Sequence, residues 1–267
     1  MKPTCSNCGK HIIQDYCHHC GQQKPSRIDG KYIVQEIEYA LLHMNKAFAH
    51  SILSIIRNPG KTARDYLHGK RIRHYKPITL AIVLSAFVGF LYLRLDWDAI
   101  SESIILDLFT HPNIPQEFVE SAKSDTREFF RGSFKYYHFV TLLAIPLFAL
   151  ISRYTFRKQP ENYYEHVVMN AYVQVLFSLL SLVTFPLVCL FLDDVFFITG
   201  ISTLITPLIV LWFFKTYYHE MSLKQIIFKT NVMLAIGLIS YIVLSTVYGI
   251  IKVNYLISSG QLPPRPH

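Results

Sequence analysis

Residues 167–192 read VVMNAYVQVLFSLLSLVTFPLVCLFL, which is 26 residues without one Asp, Glu, Lys or Arg. At 1.5 Å of rise per residue, roughly 20 apolar residues cross a hydrocarbon layer about 30 Å thick. A buried helix of a soluble protein would need a polar face, and this run has none to offer. It therefore predicts a membrane span, and it directs the search for others.

Four further runs lack all four charged residue types: 77–93, 136–152, 195–214 and 230–251. The last two have full spanning length. The first two are short, but Arg94, Lys135 and Arg153 at their ends can extend toward the headgroups. The composition agrees: of 267 residues, 51% are hydrophobic and 16% charged, against about 25% charged in ordinary soluble domains. Mean hydropathy is +0.28. A disordered chain, a collagen and a small disulfide scaffold are excluded. We expect an all-α integral membrane protein of about five transmembrane helices, near 77–94, 136–152, 167–192, 195–214 and 230–251, within a transmembrane domain 77–252. An outer loop spans 95–135, and the tail 253–267 is expected to be disordered.

The connecting segments orient these spans. Residues 1–76 carry 13 Lys/Arg and 5 Asp/Glu, residues 94–135 carry 5 and 8, and residues 153–166 carry 3 and 2. The link Asp193–Asp194 has no base, residues 215–230 hold 3 and 1, and the tail from Lys252 holds 2 and 0. Basic segments stay on the cytoplasmic side, so the N-terminus is expected inside and the C-terminus outside. The net charge of +8 then serves topology rather than a nucleic-acid partner. The first 30 residues contain no apolar core of a cleavable signal, and the first span is expected to direct insertion.

The segment 1–25 contains Cys5-Ser-Asn-Cys8-Gly9 and Cys17-His18-His19-Cys20-Gly21. Two such pairs can place four thiolates around one ion, so Cys5, Cys8, Cys17 and Cys20 are expected to bind a structural Zn²⁺ in a small zinc ribbon. A dithiol redox centre would need a βαβ scaffold, and a disulfide pair is disfavoured in the cytosol. His11, His18 and His19 are alternative ligands, though four thiolates close the shell. Cys189, within the third run, reads as a buried apolar residue.

Residues 26–76 form a cytoplasmic arm. Ile33, Ile37, Leu41, Met44, Phe48, Ile52 and Ile55 recur at helical spacing, giving a long amphipathic helix that Asn58-Pro59-Gly60 ends. It packs on the cytoplasmic end of the bundle, lies on the inner leaflet, or forms a dimer seam. Lys70, Arg71, Arg73 and Lys76 sit next to the first span, where they set topology and meet lipid headgroups.

His166, Asn170, Gln174 and Ser178 follow i, i+4 spacing into the third run, with Glu165 at the cytoplasmic mouth. A polar stripe in hydrocarbon must face the bundle interior. Glu165, His166, Asn170 and Gln174 are the candidate functional patch, and interhelical hydrogen bonding is the structural alternative. Pro146, Pro186 and Pro207 fall mid-span and can kink helices or simply be tolerated. In the outer loop 100–109 and 116–131 read as short helices.

Asn58-Pro59-Gly60, Asp65-Tyr66-Leu67, Gly69-Lys70-Arg71 and Tyr75-Lys76-Pro77 together resemble the signature of an uncharacterised family of bacterial zinc-ribbon polytopic membrane proteins. The knuckles ending in Cys20-Gly21-Gln22, Tyr164-Glu165-His166 and the segment Lys215–Tyr218 share the resemblance. It implies this architecture and a bacterial inner membrane, and it supplies no activity or catalytic residue. No HExxH, nucleophile elbow, P-loop or dinucleotide-binding turn is present. The leading function is a membrane-anchored interaction or regulatory protein whose zinc finger docks a cytosolic or membrane partner. A transporter or channel using the polar stripe comes second, and a membrane-embedded enzyme third. A homo-oligomer stays open.

Overall fold

A computed structural model describes residues 4–12, 15–22, 24, 27–33, 48–96, 136–190 and 195–258. The centre of the amphipathic stripe, the expected outer-loop helices and residues 259–267 of the tail lie outside these residues, whereas 253–258, expected to be disordered, are helical. Among the described residues the helices with defined bounds are α1 Phe48–Arg57, α2 Pro59–Leu67, α3 Pro77–Tyr92, α4 Tyr137–Leu143, α5 Ile145–Thr155, α6 Tyr163–Leu190, α7 Val195–Tyr217 and α8 Leu223–Ser258. The described residues contain no strand; an isolated antiparallel bridge joins Thr4 to His11.

Among the described residues three helices are long and apolar enough to cross a membrane: α6, the Gly200–Tyr217 part of α7, and Leu223–Ile251 of α8. The pair α4–α5 qualifies together but bends by 50°. Its cause is local, because Pro146 in the first turn of α5 has no N–H to give to the preceding helix. Two shorter apolar helices are α1, with 10 residues, and α3, with 16. Pro186 and Pro207, by contrast, sit inside continuous α6 and α7.

α6 is the central element and packs against α2, α3, α4, α5 and α7. Its first half is buried on every side: Val168, Met169, Ala171, Tyr172 and Val175 are fully enclosed. Its second half opens outward, and Cys189, expected to be buried, is exposed. α8 is the reverse of α6. Only 6% of its most apolar stretch is covered by protein, leaving Leu238, Ile239, Tyr241, Ile242, Val243 and Ile250 exposed. In water so long an apolar surface would be strongly unfavourable; in hydrocarbon it is the ordinary state of a helix.

On the arm, α1 turns Ser51 and Ile55 inward, with Phe48 and Ile52 packed against the same core. Asn58 ends α1 and also starts α2, since its Oδ1 accepts the Lys61 N–H at 3.0 Å while Pro59 takes the first turn. The expected helix terminator is thus a hinge between two helices. α2 closes on Gly69, whose φ of 95° permits the left-handed exit.

Candidate functional site

The first cysteine turn is built by its backbone. The Cys5 N–H donates to Lys10 O at 2.8 Å, and the Gly9 N–H donates to Cys5 O at 2.8 Å. The second repeats the pattern: the Cys17 N–H donates to Gln22 O at 2.7 Å, and the Gly21 N–H to Cys17 O at 2.8 Å. Gly9 and Gly21 have φ of 74° and 70°, the left-handed region that glycine enters without a Cβ penalty.

The turns bring four sulfurs together. Cys5 Sγ lies 3.6 Å from Cys20 Sγ, Cys8 Sγ lies 3.6 Å from Cys17 Sγ, and all four fall within 4.8 Å of one another. A tetrahedron with metal–sulfur bonds near 2.3 Å has edges of about 3.8 Å, so these spacings suit one ion. They are too long for a disulfide, and the four cysteines are free. The local core consists of Cys5, Ile12 and Cys17 with Cys8 and Cys20 against it. A single aliphatic side chain cannot hold such a segment, and a shared metal can.

The surroundings also suit an ion. The Asn7 side chain and the Gln22 backbone hydrogen-bond Cys20 and hold it down to about 6. Cys8 receives the matching backbone hydrogen bond at Lys10, yet burial and its bonds to Cys17, Cys20 and Cys5 push it up to about 12. Four thiolates cannot share so small a space without a cation. His11, His18 and His19 are exposed and outside the cluster.

The second turn is clamped to the arm. Gln22 is buried, and its Oε1 accepts from the Arg71 N–H at 3.1 Å and the Ile72 N–H at 2.8 Å. Arg71 in turn donates through Nε to Tyr66 O at 3.3 Å and lies over the rings of Tyr32 and Tyr66, at 4.9 and 5.6 Å. Lys70 pairs with Asp65 at 3.0 Å. Lys76 caps α3, and Arg73 is exposed. The four basic residues expected at headgroups therefore have different surroundings.

The arm is fastened to the bundle at two places. Arg27 donates to Pro160 O at 3.1 Å and pairs with Glu165 at 3.4 Å, and Asn162 Nδ2 donates to Ile28 O at 3.0 Å. On the other side the Gly60 N–H donates to Thr216 Oγ1 at 3.0 Å, and Arg64 donates to Tyr217 O at 3.1 Å. Beneath them Glu161 accepts from the hydroxyls of Tyr217 and Tyr218 at 3.1 and 3.2 Å. Burial, with the Glu161 carboxylate beside it, holds the Tyr218 phenol far above its usual range, so it remains a donor.

Three of the four patch residues line the bundle interior. His166, Asn170 and Gln174 are buried, and Ser178 continues the line. Ser152 Oγ lies 3.0 Å from His166 Nδ1 and accepts from Asn170 Nδ2 at 2.9 Å. Gln174 Nε2 donates to Ser85 Oγ at 2.9 Å and to Thr141 Oγ1 at 3.1 Å; Ser85 Oγ lies 3.2 Å from Ser178 Oγ. The stripe thus ties α6 to α3, α4 and α5. Glu165 turns away from it. Its Oε2 accepts the Asn162 N–H at 2.6 Å while Asn162 Oδ1 accepts the Glu165 N–H at 2.9 Å, a reciprocal cap on α6. Asn-x-x-Glu before an apolar run announces such a cap. The Gln22 clamp and the Glu161–tyrosine clamp carry no comparable local signal.

Among the described residues this is an all-helical protein with three helices able to cross a membrane and a four-cysteine cluster able to hold a metal ion. A family model described as "Protein of unknown function (DUF3667)" matches residues 46–89, a stretch that covers α1, α2 and most of α3. No curated protein and no solved structure matches the chain.

Proposed function

We propose that this chain is a membrane-anchored interaction or regulatory protein that presents a structural zinc finger on the cytoplasmic face of a bacterial inner-membrane bundle. Cys5, Cys8, Cys17 and Cys20 hold Zn²⁺. Five spans anchor the finger: α3, the bent α4–α5 pair, α6, α7 and α8. The imbalance of Lys/Arg between alternate connections supports an inside N-terminus.

The observation that carries this reading is the Gln22 clamp. It holds the second turn against the Arg71–Ile72 backbone, so the finger has a fixed pose on its anchor. Such a pose suits presentation to a partner protein, and the closed four-thiolate shell leaves a metal no open position for catalysis.

The test is affinity capture of the full chain from native membranes beside a Cys5→Ser/Cys8→Ser variant, with zinc measured on both. The expected result is one equivalent of zinc and a partner that only the intact finger retains. Identical partners for both proteins at equal membrane abundance would overturn the interaction role. A metal content below about half an equivalent under reducing conditions would overturn the zinc assignment.

A second reading, proton or solute passage along α6, is favoured by one observation. His166 Nε2 and His138 Nδ1 are buried without a hydrogen-bond partner, and His138 stands beside Tyr92, 5.0 Å between rings. Proton flux in sealed vesicles that His166→Phe abolishes would favour it over the docking role.

A further inference from the structure

At the end of α5 and the start of α8 the bundle has a hollow of about 230 Å³. Arg157, Lys158 and Lys229 line it together with Tyr154, Phe228 and Val232. Three basic residues thus border one small space that no carboxylate among the described residues lines.

The acids that follow Arg157 and Lys158 in the sequence, Glu161 and Glu165, are committed elsewhere. Glu161 is held by Tyr217 and Tyr218, and Glu165 caps α6 and pairs with Arg27. Lys229 does not reach outward into water. Its Nζ donates to Thr155 O at 2.6 Å and lies 5.2 Å from the Phe156 ring centroid. Arg157 lies over the Tyr154 ring at 5.6 Å. Like charges gathered in this way repel unless an anion enters.

The position of the hollow identifies the anion. Lys229 immediately precedes the uncharged run 230–251, and Arg157 follows the uncharged run 136–152. The hollow therefore sits where two spans leave hydrocarbon on the same side. Above it run two apolar rails. Leu147, Leu150 and Tyr154 are exposed at i, i+3 and i+7 on α5, and Phe228, Ile239 and Ile242 are exposed along α8. Headgroup-level cations with aliphatic rails beside them suit a molecule that has both parts.

We infer that the hollow between α5 and α8 binds the phosphate of an anionic phospholipid, whose acyl chains lie along the exposed faces of these two helices.

The test uses the full chain purified in a zwitterionic detergent. Phosphatidylglycerol, phosphatidylcholine with the same acyl chains, and inorganic phosphate are added separately. Thermal stability and lipid adducts by native mass spectrometry are read for each. Phosphatidylglycerol is expected to raise the melting temperature and to remain bound; phosphatidylcholine and inorganic phosphate are not. Each charge removed is expected to weaken retention about fivefold. In Arg157→Gln/Lys158→Gln/Lys229→Gln the shift should vanish, and in the control Lys24→Gln/Lys31→Gln it should persist. Should the triple variant not fold, Lys158→Gln serves alone, since its exposed side chain has no packing role. An unchanged phosphatidylglycerol shift in the triple variant, or unchanged retention in Lys158→Gln, would overturn the inference. A matching shift with inorganic phosphate alone would also overturn it, and would reassign the site to a soluble anion.

Discussion

Replacing Gly60 by Ala tests whether the arm is bolted to the bundle as described. A Cβ at this position would stand 2.1 Å from Tyr217 N and 2.4 Å from both Thr216 C and Thr216 Oγ1. The first distance is about 1.3 Å short of the 3.4 Å at which ordinary contact begins. Two of the three atoms are backbone, so no rotamer change relieves the clash. α2 must move off α7, and the Gly60–Thr216 and Arg64–Tyr217 hydrogen bonds stretch with it. Overpacking costs about 1–3 kcal/mol, and each strained hydrogen bond adds about 1. We therefore expect a loss of about 3 kcal/mol, or roughly 6–12 °C in melting temperature for a chain of this size. The assay is thermal unfolding of the purified full chain in detergent, followed by intrinsic fluorescence. Gly200→Ala supplies the control, because a Cβ there meets nothing within 4 Å, and a helical alanine should leave stability unchanged or slightly raised. A Gly60→Ala protein that melts within about 1 °C of the parent would refute the α2–α7 contact.

Four further outcomes follow from the same contacts. Glu165→Ala should cost about 1 kcal/mol through the lost cap on α6, whereas Glu165→Gln, which can still accept the Asn162 N–H, should cost less than half of that; equal losses in thermal unfolding would contradict the cap. Gln22→Ala should leave the four-cysteine cluster's metal content intact but make the 5–22 segment cut faster by protease, since its dock on Arg71 and Ile72 is lost while the four cysteines remain; unchanged cutting would argue against the clamp. Burial first, then the neighbouring His50, lowers the affinity of His74 for a proton, so this residue favours the folded state when neutral. That contribution is complete above the ordinary value of 6.5 and fades as the pH falls through the lower folded value; a His74→Asn protein should show a flatter decline in melting temperature below pH 6.5, and an unaltered slope would exclude His74 as its source. Gln174→Leu should cost about 1 kcal/mol, the sum of two interhelical hydrogen bonds near 0.6 each, and a loss above about 4 kcal/mol would show that the site cannot accept an apolar isostere.

The helical content was legible because the signal was a lack of charge over long distances. Residues 167–192 and 230–251 needed no neighbours to be read as helices, and the described residues of both, 167–190 and 230–251, lie in helices. The cysteine cluster was legible for a related reason, since two Cys-x-x-Cys pairs with trailing glycines carry their own geometry. The break at Ala144 was less so: Pro146 marked the place, but whether it kinked a helix or was absorbed depended on packing, as continuous helices at Pro186 and Pro207 illustrate. Asn58-Pro59-Gly60 read as a stop because its three residues disfavour a helix interior. The same three residues are an N-cap, a first-turn proline and a glycine under Thr216, and only the fold distinguishes a stop from a restart. Glu165 was assigned to the polar stripe by its position in the sequence, while its side chain follows the local rule of the capping box instead.

The residues that resemble a family signature share a location rather than a chemistry. Gly60 meets Thr216 and Tyr217, Tyr66 packs edge-on to Tyr172 at 6.2 Å, Arg71 covers Tyr66, and Glu165 holds Arg27. These contacts form a single layer between the cysteine turns and the buried half of α6. Three acids at this layer are engaged: Asp65 by Lys70, Glu161 by two tyrosines, Glu165 by its cap. Displacement of the finger at Gln22 would be felt first at Arg71, then at Tyr66 and Tyr172, which lies fully buried on α6. That order of contacts joins the four-cysteine cluster to the buried half of α6, and it supports the docking role proposed above.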